Sequence, residues 1–436
     1  MGCWPECLVS PFRKLWLATV SFCRKMKKLA DDDPRRVLHS LKVGIALTIV
    51  STLYYVTPMF KGFRSSTIWA VLTVVLVLEF TVGGTLTKGL NRAVATLLAA
   101  ALGMGAHHIA ILTGDKGEVI LLGFFIFIVA VIATFLRFMP EIKKRYDYGV
   151  MIFMLTFSLV GISSFRDEET FMLAYKRLLT IAIGVAIALV VSVLVFPVWA
   201  GEDLNMLMGA NLEKLANSLE GLEALYFGEK VKVDDMKIKG ALLQSYKSVL
   251  NTKATEDSLA NLARWEPPHG PFWFCHPWKQ YLKIGGLSRR FACLVEALSS
   301  YISRSQVATE LEKHGNIREA CKEICKESKN AMIVMASSVR AMTKLSDSKQ
   351  HMAAGTETAN RLKISLFEGG LLQTCTIVSL LLEIVSCAQE IEAAIEELAR
   401  LARFKNSDQV NAGSGNRENP VADNDEVHEV AIVVLD

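Results

Sequence analysis

One apolar run without a charged residue decides the fold of this chain: Val119-Ile-Leu-Leu-Gly-Phe-Phe-Ile-Phe-Ile-Val-Ala-Val-Ile-Ala-Thr-Phe-Leu136. A helix of this length reaches across the hydrocarbon core of a bilayer. Similar runs recur between residues 43 and 199. Each must be helical, because lipid offers no hydrogen-bond partner to an open backbone. We therefore predict six spanning helices, at about residues 43–58, 67–82, 91–112, 118–138, 148–165 and 174–199.

The composition of the whole chain agrees with a membrane protein. Of its 436 residues, 51% are hydrophobic and only 21% are charged, and the mean hydropathy is +0.32. These values exclude a disordered chain, a collagen-like repeat and a small disulfide scaffold. After residue 200 the pattern changes to amphipathic helices, with leucines at three- and four-residue spacing. The predicted fold class is an all-α membrane protein, with six transmembrane helices followed by a cytosolic helical bundle domain.

The chain is predicted to divide into four parts. Residues 1–42 form a cytosolic N-terminal segment that is amphipathic and basic, residues 43–200 the six-helix transmembrane domain, residues 201–405 the cytosolic helical domain, and residues 406–436 a disordered tail. Residues 371–388 are apolar enough to be weighed as a seventh span. Glu383, together with a periodicity that continues into a polar stretch, favours a helix buried in the cytosolic bundle instead.

Basic residues are distributed unequally about the spans. A basic cluster precedes the first span, and the same side of the membrane would hold Lys88, Lys143, Lys144 and Arg145. The opposite side has fewer basic residues, and acidic residues offset them. Because positive charge accumulates on the cytosolic side, both termini are predicted to be cytosolic. We expect the plasma membrane as the location, with the vacuolar membrane as the alternative.

No pattern in the sequence points to catalysis. A Walker loop, an HExxH motif, a GxSxG motif and a dinucleotide fingerprint are all absent. The nine cysteines show no zinc-ligand spacing, and Cys321 and Cys325 are favoured as two buried thiols on one helix face over a metal pair. The net charge of +4 is too small to indicate nucleic acid. We expect no catalytic residue, cofactor, metal site or nucleic-acid partner.

Four basic residues lie at or inside the predicted spans: Lys88, Arg92, Lys176 and Arg177. A charge at the centre of a membrane helix costs about 2.5–3.5 kcal/mol on insertion scales, so such residues face a protein interior or a water-filled cavity. A surplus of positive charge along a pathway attracts anions, and the alternative is snorkelling to the interface. Glu79 is the conspicuous acid of the spans. For it we favour pairing with a basic residue over binding of a transported cation.

Several longer motifs carry a family resemblance. They are Trp69-Ala-Val-Leu-Thr-Val-Val-Leu-Val-Leu-Glu-Phe80, Gly84-Thr-Leu-Thr-Lys-Gly-Leu-Asn-Arg92, Arg145-Tyr-Asp-Tyr-Gly149, Pro197-Val-Trp-Ala-Gly-Glu-Asp203 and Trp265-Glu-Pro267. In this order they resemble the plant aluminium-activated malate transporter family. The resemblance covers about residues 33–405.

The resemblance implies an anion channel, despite the name of the family. Members are dimers in which both subunits contribute to the pore, and they pass malate together with chloride, nitrate or sulfate. The family's pore positions correspond here to Arg92 and Arg177, supported by Lys88, and Lys176 is a further candidate. Lys143, Lys144 and Arg145 would then form a positive inner vestibule. The candidates for folding or gating roles are Glu79, Phe196, Trp265 and Glu266.

Two other function classes remain open beside this expectation. A proton-coupled organic-anion transporter would use Glu79 as its proton carrier, and a non-transporting membrane scaffold would act through its cytosolic bundle. Activation by aluminium would need carboxylate oxygens outside the membrane, because hard cations prefer them; the candidates are Asp167, Glu168 and Glu169. The expected function is a gated anion channel for malate and inorganic anions, which move down their electrochemical gradient through a pore lined by basic residues.

Overall fold

The computed structural model describes residues 4–56, 67–164, 170–227, 235–303, 315–345, 348–369 and 372–406. Within these ranges the chain is almost wholly helical, and β-structure is limited to two isolated bridges, His269 with Phe272 and Thr343 with Lys405. The all-α prediction is confirmed. The chain divides into two compact units, Met1–Val198 and Trp199–Asp436, close to the boundary predicted at residue 200.

Seven helices make up the described part of the first unit. They are α1 (Trp4–Asp32), α2 (Pro34–Val56), α3 (Thr67–Val77), α4 (Val82–Ile111), α5 (Asp115–Leu136), α6 (Pro140–Ser164) and α7 (Thr170–Leu194). Each of the six predicted spans coincides with one of the helices α2 to α7. The amphipathic N-terminal segment forms α1.

Four of these helices are long and apolar enough to cross a membrane within the described residues: Pro34–Tyr55, Val82–Ile111, Gly117–Leu136 and Tyr175–Leu194. Helix α3 has 11 residues, which rise only ~16 Å at 1.5 Å each, about half of a hydrocarbon core. Helix α6 is longer, but its first two turns carry five charged side chains. Four of the six predicted spans are therefore supported by helices of sufficient length and hydropathy, and the two at α3 and α6 are not.

The boundary between the second and third predicted spans was wrong. The sequence pattern placed residue 82 at the end of one span and began the next at residue 91, whereas α3 ends at Val77 and α4 begins at Val82. The reason is local: Thr81 caps the N-terminus of α4 and accepts a hydrogen bond from Gly84 N at 3.1 Å. Residues 78–81 form a break between two apolar helices, and Glu79 lies on that break.

Small residues bring the helices of the first unit close together, as the frequency of alanine and glycine in the third span predicts. Helix α4 packs against α6 and α7, and α3 packs against α7. A Cβ atom added to Gly103 of α4 would come within 2.8 Å of the Val160 side chain on α6. One added to Gly184 of α7 would come within 2.9 Å of the carbonyl oxygen of Ala70 on α3.

The second unit is a helical bundle around one apolar core. Its helices are α8 (Ala200–Leu222, followed by a π-helical turn, Glu223–Phe227), α9 (Asp235–Leu250), α10 (Lys253–Ala263), α11 (Trp278–Ile302), α12 (Gly315–Ala341), α13 (Ser348–Gly369) and α14 (Leu372–Leu401). Leu381, Ile384 and Ile391 of α14 are fully buried in this core. The interpretation of residues 371–388 as a bundle helix is thereby confirmed over its described side chains.

We predict that Gly103→Val destabilises the protein by about 1–3 kcal/mol, because the new side chain overpacks the contact between α4 and α6. Gly105 lies two residues further along α4, and a Cβ atom there would meet no atom within 4 Å. Gly105→Val is therefore the matched control. Thermal unfolding of both full-length variants in detergent makes the comparison, and equal melting temperatures would contradict the packing role of Gly103.

Candidate functional site

The break between α3 and α4 holds Glu79 in a fixed backbone setting. The buried hydroxyl of Thr85 accepts a hydrogen bond from the amide of Glu79 at 3.0 Å. The amide of Val82 donates to the carbonyl oxygen of Val198 at 3.0 Å, which ties the start of α4 to the segment after α7. Backbone groups freed by a helix break need such partners in an apolar environment. The position of the Glu79 carboxylate therefore depends on three segments of the first unit.

Glu79 forms an ion pair with Lys88 of α4. The ammonium of Lys88 also lies 5.7 Å from the centre of the Tyr148 ring on α6. The pairing of Glu79 with a basic residue, favoured from the sequence, is confirmed. The charge of Lys88 is consequently balanced within the chain, which leaves the next basic residue of α4 as the main source of positive charge in this region.

That residue, Arg92, lies one turn after Lys88 and is only 2% exposed. Its Nη1 donates a hydrogen bond to the Tyr148 hydroxyl at 3.1 Å, and its buried Nε has no hydrogen-bond acceptor among the described residues. No carboxylate oxygen of the described ranges lies within 4 Å of the guanidinium. Arg92 is thus a buried cation with a neutral partner, which leaves most of its donors available to an anion. We call Glu79, Lys88, Arg92 and Tyr148 the Arg92 cluster.

Three further predicted residues lie at the start of α6, a few positions before Tyr148 in the sequence. Lys143, Lys144 and Arg145 are exposed, as an inner vestibule would need. The side-chain amide of Asn91 on α4 donates to the carbonyl oxygen of Arg145 at 3.2 Å. The turn that carries the three basic residues is therefore fixed next to the residue that precedes Arg92.

Arg177 of α7 has a different environment from Arg92. Its guanidinium lies 5.1 Å from the centre of the Trp69 ring on α3, a cation–π contact. Lys176, the preceding residue, is half-buried. The two predicted pore arginines thus contact different helices: Arg92 contacts α6, and Arg177 contacts α3. The acidic candidates Asp167, Glu168 and Glu169 lie outside the described residues.

Sequence reasoning missed the structural setting of three polar residues of the first unit. Tyr148 was quoted only as part of a motif. Arg137, at the end of α5, forms a two-pronged ion pair with Asp147 of α6 at 2.6 and 3.1 Å. Lys42, which belongs to the basic cluster before the first predicted span, is only 1% exposed on α2. The ion pair had a signal in the sequence, since an arginine follows an apolar run directly and stands ten positions before an aspartate. The burial of Lys42 had no such signal.

In the second unit, Glu266 of the Trp-Glu-Pro motif caps the first helix. Its carboxylate accepts hydrogen bonds from Ala200 N at 2.6 Å and from Gly201 N at 3.0 Å. These amides begin α8, where the helix dipole favours a negative charge. The ring of His269 stacks on Trp199 at 3.8 Å between ring centres. Glu266 therefore fixes the start of the second unit directly after the last apolar helix in sequence.

The remaining candidates near this junction are exposed. The side chain of Phe196 is 62% exposed, and its backbone adopts a φ of 44°, a left-handed conformation that side-chain-bearing residues rarely occupy. Trp265 is exposed as well, at 38%, and this exposure does not explain why a tryptophan stands in the motif. Phe196 lies two residues after the end of α7 at Leu194 and directly before Pro197, a position where helical backbone is disfavoured.

A buried polar network follows the same motif. The Nε2 atom of His276 lies 3.3 Å from the Tyr281 hydroxyl, which donates to Asn205 Oδ1 at 3.2 Å. Burial, together with the nearby His269, lowers the pKa of His276 to about 4. A neutral His276 that donates from Nε2 completes the network, because the Tyr281 proton is already used. The network joins α8 to α11.

The chain matches the family described as aluminium activated malate transporter over residues 27–376. It is 49% identical over 397 residues to aluminum-activated malate transporter 1 of Triticum aestivum, and the aligned region covers 88% of this chain and 86% of that protein. It is 41% identical over 428 residues to aluminum-activated malate transporter 2 of Arabidopsis thaliana, covering 95% and 85%. The chain belongs to the aluminium-activated malate transporter family.

Membership in this transporter family excludes an enzyme and confirms the resemblance read from the motifs. The structure adds that these motifs meet in pairs. Arg92 from the second motif contacts Tyr148 from the third. Glu266 from the last motif binds the amides of Ala200 and Gly201 from the fourth. Residues far apart in the sequence thereby build one polar cluster in each unit of this family member.

We predict that Glu266→Ala destabilises the protein by about 2 kcal/mol, since two buried amides lose their acceptor and the helix start loses an opposite charge. Glu266→Gln retains one carbonyl oxygen and is expected to cost less. The melting temperature of the full chain in detergent measures both. Glu319→Ala, at an exposed position, serves as control. If all three variants unfold at the same temperature as the unmodified chain, Glu266 does not act as a cap.

We predict that protonation of His276 lowers the free energy of unfolding at acidic pH. The unfolded chain binds a proton near pH 6.5, but the folded chain binds it only near pH 4, so between these values the unfolded state holds more protons and stability falls as the pH falls. The unfolding free energy should be about 2 kcal/mol lower at pH 5 than at pH 7.5 from this group alone. His276→Gln should remove that share, whereas His108→Gln, at an exposed position, should retain it. Equal pH dependence of the two variants would contradict this assignment.

Proposed function

We propose that this chain forms a gated anion channel that passes malate and inorganic anions such as chloride, nitrate and sulfate down their electrochemical gradient. The observation that carries the proposal is the buried Arg92 guanidinium, which contacts the neutral Tyr148 hydroxyl and no carboxylate among the described residues. The names of two relatives, malate transporters of Triticum aestivum and Arabidopsis thaliana, support malate as the organic anion.

The chemistry of Arg92 suits a dicarboxylate. A guanidinium presents a planar fork of donors that matches a carboxylate with two parallel hydrogen bonds. A buried cation without a carboxylate partner is costly, and an arriving anion relieves that cost. Since Tyr148 covers one donor, movement of its ring would expose the guanidinium to a passing anion. Conduction also needs weak binding, which several partly hydrated sites in series provide.

The other basic candidates extend this pathway in both directions. Lys143, Lys144 and Arg145 would raise the anion concentration at the cytosolic mouth, and Lys176 with Arg177 would stand toward the outer end of α7. Lys88 contributes only when Glu79 releases it, so we assign the Glu79–Lys88 pair a gating role. An inside-negative potential then drives efflux, at about 2.3 kcal/mol per charge per 100 mV.

We further propose a homodimer in the plasma membrane, with both termini cytosolic. Two subunits facing each other would double every basic position into a ring around one pore. We assign folding or gating roles to Glu266, Trp265 and Phe196, because Glu266 binds the first two amides of α8 and Phe196 adopts a strained backbone four residues before that helix begins. Aluminium sensing is assigned to Asp167, Glu168 and Glu169 on charge alone.

The two rivals are less well supported. In a proton-coupled transporter Glu79 would have to leave Lys88 at each proton uptake. A non-transporting scaffold would have no use for a buried arginine whose partner is neutral, because an apolar residue of similar size would be cheaper. In voltage-clamped oocytes, a channel gives reversal potentials that follow the anion gradient and ignore external pH. A shift of the reversal potential with pH would favour the coupled transporter, and no current would favour the scaffold.

We predict that Arg92→Gln lowers malate and chloride currents roughly tenfold at equal surface abundance, the loss expected when one charged hydrogen-bonding partner is removed. Arg36→Gln is the matched control, because Arg36 pairs with Asp33 at the start of α2 and lies outside the Arg92 cluster. Currents recorded in malate, chloride, nitrate and sulfate in turn give the selectivity. Unchanged current and selectivity in Arg92→Gln would remove Arg92 from the pore.

A further inference from the structure

Helix α1, which precedes the first predicted span, has two chemically opposite faces. Leu15, Phe22, Met26 and Leu29 follow one another at intervals of seven, four and three residues, so they share one side of the helix. Arg24 and Lys28 lie on the other side, with Lys25 and Lys27 flanking them. Between residues 15 and 30 no acidic residue balances these four cations.

The apolar face of α1 is left exposed by the part of the chain that the structure describes. Leu15 is 66% exposed, Phe22 63%, Met26 52% and Leu29 42%. Trp16, at the flank of this face, is 69% exposed. Contiguous apolar side chains with such exposure mark a surface that binds a partner or a membrane.

The junction with α2 determines which partner lies within reach. Asp33 separates the two helices, and its carboxylate accepts hydrogen bonds from Arg35 N at 3.1 Å and from Arg36 Nε at 3.1 Å. Pro34 is the first residue of α2, which disfavours continuation of α1 through Asp33. Because α2 is one of the helices long and apolar enough to cross a membrane, a single residue links α1 to a bilayer-spanning element.

We propose that α1 lies on the cytosolic surface of the bilayer and binds anionic lipid. Leu15, Phe22, Met26 and Leu29 enter the boundary between headgroups and acyl chains, and the four cations contact lipid phosphates and carboxylates. A basic amphipathic helix is also the shape that calcium-sensor proteins bind. The one-residue link to α2 favours the membrane, because it keeps the apolar face at the bilayer surface without a second protein. The proposal rests on the cytosolic orientation given above and is independent of anion conduction.

Hydrogen exchange of the full-length protein in lipid nanodiscs tests this proposal. Exchange of residues 15–32 is compared in phosphatidylcholine alone and in phosphatidylcholine mixed with phosphatidylserine. We expect at least fivefold slower exchange in the mixed lipid, since a single surface cation already contributes about fivefold to binding of an anionic surface, and we expect high salt to abolish the difference. Equal exchange in both lipids would overturn the proposal.

Matched variants separate the two faces of α1. Replacing Arg24, Lys25, Lys27 and Lys28 by glutamine should remove the effect of phosphatidylserine, and Phe22→Ser with Met26→Ser should raise exchange in both lipids. The control neutralises four exposed cations of the second unit, Lys253, Lys279, Lys326 and Arg361, and should leave α1 protected. If the control loses protection equally, or if α1 is protected only by added calcium-loaded calmodulin, the lipid proposal fails. Because exchange is read without current, failure here leaves the channel proposal standing.

Discussion

A buried cation, Arg92, that has no counter-charge among the described residues is the constraint on which the first unit depends. Arg92 projects from an apolar helix and is almost fully enclosed, and its hydrogen-bond partner is the hydroxyl of Tyr148 on α6. In a bilayer such a group is tolerated only inside protein or beside water. Helix α4 packs against α6, and a Cβ atom added to Gly149 of α6 would contact Asn91, the residue before Arg92, so this packing supplies that enclosure. Packing by small residues and the chemistry of the site are therefore parts of one arrangement.

Two carboxylates of this protein, Glu79 and Glu266, bind their partners at helix ends. Glu79 lies on the break between α3 and α4 and holds Lys88, while Glu266 closes the N-terminus of α8. In both places the backbone leaves helical geometry close to apolar sequence, where unpaired amides and unpaired charges are expensive. Glu79 reduces the positive charge around Arg92, and Glu266 orders the start of the second unit. The two carboxylates are thus natural points for regulation of the same protein.

The limits of sequence reasoning are seen at particular residues. The break at residues 78–81 was read as part of a continuous span because Leu78 and Phe80 are as apolar as their neighbours. Thr81, in the stretch Thr81-Val-Gly-Gly84, was nevertheless a visible capping signal. The Trp265-Glu-Pro267 motif was recognised, but nothing local linked Glu266 to amides 66 and 65 residues away. Pairing of Arg137 with Asp147 and burial of Lys42 likewise depend on which helices become neighbours.

The sequence by itself determined the helical membrane class, the approximate positions of the apolar helices, the amphipathic N-terminal segment and the list of charges that needed an explanation. These properties are local, because they follow from the length and period of apolar runs. Only the tertiary structure decided how those charges are used: Lys88 is balanced by Glu79, whereas Arg92 meets a hydroxyl 56 residues away. Helix packing brings such distant side chains together, and no periodicity within one helix records its neighbours.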